Sequence, residues 1–344
     1  PTTTATVNVD EIVTNLGSTN VEINTGSTGV ASGNITVSND ITWDTANGLT
    51  LLANNMVSVS ANVICTSTGS ITMTGNGNSA AAYGVYLAGY TVSSNGGNIT
   101  LYGVGVSFAT YITATAIVST TGNGNIEITG INTTDGGATS YLLGIYFRIT
   151  STISAENGNI TLNGTGGISS GGNNHGIYAY YGSLITTASG SGSISLNGTA
   201  HSNGNGIMLY GCSASTNSGD VTVTANNVSS GVGNGLYIVR VNPYTPYLQT
   251  ISGDINVTCS SAVGADGGYG LIMATSYFAT ESGNINVTTS ARGTITAKYG
   301  LYMTGTSYIQ STGTGMVGAI TIDADAAAGI DANAGVYITG ASTK

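Results

Sequence analysis

The chain has 344 residues, of which 40% are hydrophobic and only 6% are charged, and its formal net charge is −10. Five basic residues cannot form a patch that neutralises phosphates, which argues against nucleic acid as a partner. No apolar run approaches the roughly twenty residues that span a bilayer, so we expect no membrane insertion. Thr, Ser, Asn, Gly and β-branched residues dominate, which favours strands and turns, and we expect almost no helix.

The first thirty residues fit the rest of the chain poorly. Their apolar residues are Val7, Val9, Ile12 and Val13, followed by Val21 and Ile23. We expect residues 1–30 to form an N-terminal cap or arm. Pro1 precedes a polar run and not a signal peptide, as in a secreted chain whose signal has been removed, and we expect an extracellular or cell-surface location.

From residue 31 onwards, a phrase of the form Gly-polar-aliphatic-Thr-aliphatic recurs about every thirty residues. Its aliphatic residues alternate with polar ones, as in a strand with one buried face. A repeat of this length running through the chain indicates a solenoid. The phrase opens at Gly33, Gly69, Gly97, Gly124, Gly158, Gly192, Gly219, Gly253, Gly283 and Gly318.

A second phrase, Gly-aliphatic-Tyr-apolar, falls between copies of the first, and a third, looser apolar segment follows in several coils. The copies beginning at Gly206 and Gly270 lack the tyrosine. The sequence therefore predicts one all-β domain over residues 31–344, a parallel β-helix with three strands per coil and about ten coils of about 30 residues. Equivalent residues would stack about 4.8 Å apart along its axis.

The residue after the opening glycine is small and forms hydrogen bonds. Such side chains suit a tight corner, where they satisfy turn backbone groups and bond to the coils above and below. We therefore interpret the two aspartates of this set as turn residues and not as catalysts. The predicted turn ladder contains Asn34, Asn98, Asn125, Asn159, Asp220, Asp254 and Asn284, with Ser70 and Ser193 at the same position.

The segments Gly48 to Asn55, Val57 to Ala61 and Gly69 to Thr74 resemble the repeats of secreted bacterial β-helix adhesins of the filamentous-haemagglutinin and autotransporter-passenger kind. The resemblance is close over about thirty residues, and the remainder of the chain shares only the general character of these repeats. It implies an extracellular, rod-shaped, non-enzymatic surface protein and a right-handed coil. The coils here are longer than is usual for that group, and the tyrosine phrase is not part of its pattern.

We predict no catalytic residues and no cofactor. The fifteen acidic residues are dispersed, and neither His175 nor His201 has a neighbouring nucleophile in the sequence, so both are expected at the surface or in turns. Three cysteines at different phases of the repeat are expected to be buried and unpaired. The one acidic cluster, a weak candidate for a calcium site, consists of Asp323, Asp325 and Asp331.

The tyrosines of the second phrase are the better functional candidates, because they should point outwards from one wall. Rings with polar tips suit sugar stacking or packing against a protein, although cross-strand tyrosines also stabilise a sheet. Outward threonine pairs leave ice binding as a minor alternative. The predicted interaction face consists of Tyr86, Tyr146, Tyr178, Tyr237, Tyr302 and Tyr337.

These patterns favour a structural protein, a subunit of a self-assembling filament or fibrous adhesin. Its partner would be another copy of itself, joined head to tail or laterally, with residues 1–30 as a candidate exchanged arm and cell-surface glycans as further candidate ligands. The competing hypothesis is a glycan-binding or polysaccharide-active β-helix protein of the tailspike or lyase kind.

Overall fold

The computed structural model describes residues 5–26, 33–77, 82–135, 141–187, 190–228, 232–262, 268–292, 299–313, 317–326 and 334–339. This part of the chain contains one helix, α1 (Val9–Leu16), and 32 strands. The helix is too short and too polar to cross a membrane.

The strands follow one another in short segments separated by turns. In chain order they are β1 (Val21–Asn24), β2 (Ile35–Val37), β3 (Ile41–Trp43), β4 (Leu49–Ala53), β5 (Val57–Val59), β6 (Val63–Cys65), β7 (Ile71–Gly75), β8 (Tyr83–Ala88), β9 (Thr91–Ser94), β10 (Ile99–Gly105), β11 (Phe108–Thr113), β12 (Ile117–Thr120), β13 (Ile126–Asn132), β14 (Leu143–Arg148), β15 (Thr152–Ala155), β16 (Ile160–Thr165), β17 (Ile177–Tyr180), β18 (Leu184–Thr187), β19 (Ile194–Ala200), β20 (Ile207–Tyr210), β21 (Ser213–Thr216), β22 (Val221–Asn227), β23 (Leu236–Val239), β24 (Tyr247–Thr250), β25 (Ile255–Ser260), β26 (Leu271–Ala274), β27 (Tyr277–Thr280), β28 (Ile285–Ala291), β29 (Tyr299–Thr304), β30 (Tyr308–Ser311), β31 (Ile320–Ala326) and β32 (Ala334–Thr339).

Every third strand belongs to the same sheet. Sheet A runs from β1 through β4 to β31, sheet B from β2 through β5 to β32, and sheet C from β3 through β6 to β30. All neighbouring strands within the three sheets are parallel, for example Ile99 of β10 beside Ile126 of β13. The predicted all-β parallel solenoid with three strands per coil is therefore confirmed.

The core lies inside the three sheets and is built from the alternation seen in the sequence. Along β10 the residues Ile99 and Leu101 are buried, whereas the intervening Thr100 is half-buried on the outside. Equivalent residues of sheet A repeat this pattern from β4 to β28, so the aliphatic side chains form columns parallel to the axis. Burying an aliphatic side chain contributes roughly 1.5–3 kcal/mol before chain entropy is subtracted.

The opening glycine of the first phrase is required by a close backbone approach at the corner between sheets C and A. A Cβ on Gly253 would overlap the carbonyl oxygen of Gly219 one coil earlier, and Gly219 stands in the same relation to Gly192. Overlap with backbone cannot be relieved by a rotamer change, since the carbonyl belongs to a fixed turn.

The glycine of the second phrase has a different reason, which is the narrow corner between sheets A and B. There, Gly130 of sheet A faces Gly144 of sheet B, and Gly164 faces Gly176 in the next coil. A Cβ on Gly144 would overlap the backbone nitrogen of Thr165 and the carbonyl oxygen of Gly176 in the next coil, and a Cβ on Gly130 would overlap the Gly144 carbonyl. The two glycine phrases thus mark two corners of the triangular coil.

The N-terminal segment packs on the first coil. Helix α1 begins after Asn8, whose side chain accepts a hydrogen bond from the Asp10 N–H at 2.9 Å. Ile12 and Leu16 of the helix are buried against the core, and Asn47 Nδ2 donates to the Leu16 carbonyl at 2.7 Å. After the helix, β1 pairs with β4 as the first strand of sheet A.

The C-terminal end of the solenoid differs from the N-terminal end. Ile320 and Ile322 of β31 are 44% and 40% exposed, whereas their neighbours one coil earlier, Ile285 and Val287, are fully buried. On sheet B, Ile338 of β32 is 51% exposed. Among the described residues, the aliphatic columns of the last coil are therefore not covered.

We expect Gly253→Ala to destabilise the fold by about 2–4 kcal/mol, because the new Cβ would push apart the backbones of two coils. Gly172→Ala is the matched control, since no atom lies within 4 Å of its Cβ position and its φ is not in the left-handed region. Urea unfolding followed by circular dichroism measures both changes. Equal effects of the two substitutions would show that the corner tolerates a side chain.

Candidate functional site

The six tyrosines predicted to form an interaction face lie in one outward column of sheet B. The structure adds Tyr111, which the second phrase did not identify because Ala109 replaces its glycine. Two gaps in the column are filled by Met208 and Ile272. Along the axis the column reads Tyr86, Tyr111, Tyr146, Tyr178, Met208, Tyr237, Ile272, Tyr302 and Tyr337.

Within this column the rings are stacked on each other. The ring centroids of Tyr111 and Tyr146 are 5.1 Å apart with an interplanar angle of 7°, and those of Tyr146 and Tyr178 are 5.2 Å apart at 9°. Both faces of Tyr146 are thus covered by its neighbours, and it is only 9% exposed. An interior ring of this kind stabilises the sheet and has no bare face on which a sugar could stack.

The packing also affects the ionisation of the phenols. Burial, reinforced by repulsion from Tyr146 and other neighbouring phenols, raises the pKa of Tyr178 well above its ordinary value. Burial likewise raises the pKa of Tyr146, although the positive charge of Arg148 acts in the opposite direction. These tyrosines are therefore neutral at physiological pH and act as hydrogen-bonding and packing groups.

A second tyrosine ladder, which the sequence analysis missed, lies on sheet C near the C-terminal end. Tyr247, Tyr277 and Tyr308 are consecutive in the strand register, with centroid distances of 5.1 and 4.9 Å. Burial, followed by repulsion from Tyr247 and Tyr308, raises the pKa of Tyr277 to about 12. This ladder could have been predicted from the tyrosine that begins the third apolar segment in each of these three coils.

Arg148 stands out on sheet B, because it is the only charged residue in the eleven strands of that sheet. Its guanidinium carbon lies 5.6 Å from the ring centroid of Tyr146 and 5.9 Å from that of Tyr180. Tyr180 is in turn stacked on Tyr210 at 5.3 Å. Arg148 was not among the candidate residues that the sequence predicted.

The predicted turn ladder lies at the corner before sheet A. There, the side-chain oxygen of each residue accepts the backbone N–H of the equivalent residue in the next coil. The distances are 2.9 Å from Asn125 N to Asn98 Oδ1 and 2.7 Å from Asn284 N to Asp254 Oδ1. Asp220 and Asp254 take part in this ladder in the same way as the asparagines.

Asn34 lies apart from the other members of the predicted ladder. The phrase that opens at Gly33 forms β2 of sheet B, and Asn34 Oδ1 accepts from Asn55 Nδ2 at 2.7 Å. The corner position of the first coil is held by Asn20, whose side chain accepts the Gly48 N–H at 2.8 Å. The copy that opens at Gly33 therefore has the residue types of the first phrase but lies in sheet B and not in sheet A.

A ladder of hydroxyl groups lies inside the same corner and was not anticipated. Thr280 Oγ1 accepts the Gly283 N–H at 2.9 Å and donates to the Gly253 carbonyl of the previous coil at 3.3 Å. Thr250 makes the same two bonds one coil earlier. A Ser or Thr three residues before the opening glycine was the sequence signal for this element.

The outward face of sheet A carries the predicted threonine pairs, such as Thr72 and Thr74 of β7. The same columns contain Tyr102 and Glu127, together with asparagines. Asn286 Nδ2 donates to Asn256 Oδ1 of the neighbouring strand at 2.9 Å. This face is therefore a mixed polar surface and not a uniform threonine grid.

Of the candidate acidic cluster, Asp323 and Asp325 lie two residues apart on β31, and Asp331 falls outside the described residues. The described residues include no group of three His, Cys, Asp or Glu side chains placed to hold a metal ion. The three cysteines are buried and free.

His175 is buried, contrary to the expectation of a surface residue, and is only 3% exposed. Its Nδ1 accepts the Asn205 N–H at 2.8 Å, and Asn205 Oδ1 accepts the Asn234 N–H at 3.2 Å, so one column contains a short polar ladder. Nε2 of His175 has no hydrogen-bond partner among the described residues. Burial lowers the pKa of His175 to about 4.

Comparison with known proteins gives no relative from which a function could be transferred: no family model, no curated protein and no solved structure matches this chain. The arguments on function therefore rest on the geometry described above.

We expect the free energy of unfolding to fall by about 3 kcal/mol between pH 6.5 and pH 4, because the unfolded His175 takes up a proton in this range and the folded one does not. Above pH 6.5 the residue is neutral in both states and has no such effect. His175→Asn places the residue of the next two coils at this position and should remove this part of the pH dependence. Urea titrations of both proteins across this range test the prediction, which fails if their pH profiles are parallel.

We expect Tyr146→Ala to cost about 3 kcal/mol of stability, because it removes a ring that is buried between two others. Tyr141→Ala is the control: Tyr141 is 48% exposed, and its loss should change stability by less than about 0.5 kcal/mol. Thermal unfolding distinguishes the two. Little effect of Tyr146→Ala would argue against a stabilising role of the column.

Proposed function

We propose that this chain is a structural protein located outside the cell or at the cell surface, a non-enzymatic subunit of a self-assembling filament or fibrous adhesin. The observation that carries the proposal is the exposure of aliphatic side chains on β31 and β32, the last strands of sheets A and B among the described residues. The regular side walls add support, since columns of stacked rings and hydrogen-bonded amides suit a rigid rod.

The end of the solenoid presents two kinds of unsatisfied group. The aliphatic residues Ile320, Ile322 and Ile338 are 40–51% exposed, and Val336 beside them is 44% exposed. β31 and β32 are also edge strands, whose outer backbone groups have no strand partner among the described residues. Edge strands of this kind pair readily with a further strand, and burial of the aliphatic residues would stabilise the pairing.

A second copy joined head to tail fits this end. Continuing the parallel register of sheet A would place Val21 of the next copy on Ile320, and Asn24 on Asp323. An asparagine beside an aspartate already occurs within the chain, where Asn284 Nδ2 donates to Asp254 Oδ1 at 3.2 Å. A heterologous contact of this type does not close on itself and produces a fibre.

Two C-terminal ends facing each other would be less favourable. A twofold axis through the middle of β31 would place the Asp323 carboxylates of the two copies opposite each other, with Asp325 close by. Directly opposed like charges destabilise a strand pair. Charge therefore favours the polar, head-to-tail arrangement.

Helix α1 must be accommodated at such a joint, because Ile12 and Leu16 cover part of the first coil. In one version α1 is displaced when the next copy docks. In the other version residues 1–30 exchange, so that the helix of one copy packs on its neighbour. Both versions use the same open C-terminal end.

We expect purified protein to form linear rods whose length grows with concentration, and Ile322→Lys to abolish this growth, because it buries a charge in the joint. Thr222→Lys introduces the same charge on the flank of the rod and is the control. Negative-stain electron microscopy and sedimentation velocity measure the length and mass of the particles.

Deletion of residues 1–18 distinguishes the two versions. Displacement of α1 predicts longer rods after deletion, because the end is already free, whereas exchange predicts shorter ones. Monomers at high concentration, or association that survives Ile322→Lys, would contradict assembly through the open end.

A further inference from the structure

Arg148 holds an unusual position for a cation in a chain with a net charge of −10. It is the single charged residue in the strands of sheet B, and it lies near the middle of that face. Its outward neighbours are tyrosines on three consecutive coils, from Tyr111 through Tyr146 to Tyr178 and Tyr180. The centre of sheet B therefore carries a single positive charge surrounded by aromatic rings.

Among the described residues no carboxylate pairs with this charge. Burial lowers the pKa of Arg148, but the phenol groups of Tyr146 and Tyr111 outweigh that effect, so the pKa lies above its ordinary value. The Nε–H is buried and has no hydrogen-bond acceptor among the same residues. Burial alone disfavours the charge, and a bound anion would supply the opposite charge that the described residues do not provide.

The guanidinium is also held in place before any ligand binds. Its carbon lies 5.6 and 5.9 Å from the ring centroids of Tyr146 and Tyr180, within cation–π distance of both, and these rings restrict its position. A planar guanidinium donates two parallel hydrogen bonds to a carboxylate or a sulfate group. Phenol groups of the neighbouring tyrosines, which stay neutral, supply additional donors.

Two accessible rings lie near the tyrosines that surround Arg148. Tyr141 is 48% exposed and lies near enough to Tyr178 to act on its pKa, and Tyr181 is 38% exposed with its centroid 5.8 Å from that of Tyr180. Unlike the interior rings of the column, these two have surface that a ligand can contact. Aromatic surface beside an anion site suits the apolar face of a sugar ring.

We infer that Arg148 and its surrounding tyrosines form a binding site for an acidic saccharide. The carboxylate or sulfate ester of the ligand would pair with the Arg148 guanidinium, and the sugar ring would lie against Tyr141 or Tyr181. A single cation is too little for a nucleic acid backbone, whose binding depends on neutralising several phosphates. This site is independent of the assembly at the C-terminal end.

Isothermal titration at low ionic strength tests the inference with four probes: tetragalacturonate, a sulfated tetrasaccharide, neutral maltotetraose and sodium sulfate. We expect at least one acidic tetrasaccharide to bind and maltotetraose not to bind. Arg148→Gln should weaken the binding at least about tenfold, and Arg148→Lys should also weaken it because the planar fork is lost. Arg292→Gln, which changes an exposed arginine that follows β28 of sheet A, should leave the affinity within about twofold.

The two acidic probes distinguish carboxylate from sulfate as the preferred group. Tyr141→Ala and Tyr181→Ala both keep the charge, and at least one of them should weaken saccharide binding without changing the affinity for sulfate, which keeps the test decisive even if Arg148→Gln does not fold; no effect of either would overturn the sugar contact. Equal affinity for maltotetraose, or full binding by Arg148→Gln, would overturn the site. Sulfate binding as tight as saccharide binding would overturn the sugar contact.

Discussion

The distance between the backbones of successive coils at the corner before sheet A is the constraint on which the rest of this structure depends. From Gly97 to Gly318, the opening glycine of each coil lies so close to the carbonyl of the glycine one coil earlier that no Cβ fits between them. This contact fixes the height and the rotation of each coil on the previous one. Once that register is set, residues at the same phase of the repeat must stack in columns along the axis.

These columns stabilise the solenoid, and they also show which residues differ from the others in their column. Aliphatic residues stack inside, amides and hydroxyls bond at the corner, and tyrosines stack on sheet B. A column filled by one residue type stabilises the rod, so a residue that departs from its column calls for another explanation. Arg148 in a column of uncharged residues and His175 ahead of two asparagines are such departures. The first presents an unpaired charge on the outside, and the second carries a buried ring nitrogen that cannot take up a proton without cost.

The first and the last described coils are chemically different, and this gives the solenoid a direction. Helix α1 packs Ile12 and Leu16 on the first coil, whereas the aliphatic residues of β31 and β32 remain exposed. A solenoid with unlike ends and parallel strands adds a further coil only in one orientation. The proposed filament and the proposed saccharide site use separate parts of this rod, the end and the centre of one wall, so a single chain can serve both.

The sequence by itself determined the repeat, the inward and outward alternation, the three-stranded coil and the tyrosine column, because each of these depends on residues close together in the chain. The sequence also has the spacing of an amphipathic helix at Val9, Ile12, Val13 and Leu16, which the sequence analysis did not predict. Only the tertiary structure decided to which sheet a copy of the phrase belongs, since the copies that open at Gly33 and Gly69 have similar sequences but lie in different sheets. It also decided which ring faces are covered, that no described carboxylate pairs with Arg148 and that His175 is buried, because these properties depend on residues one coil away, about thirty positions distant in the sequence.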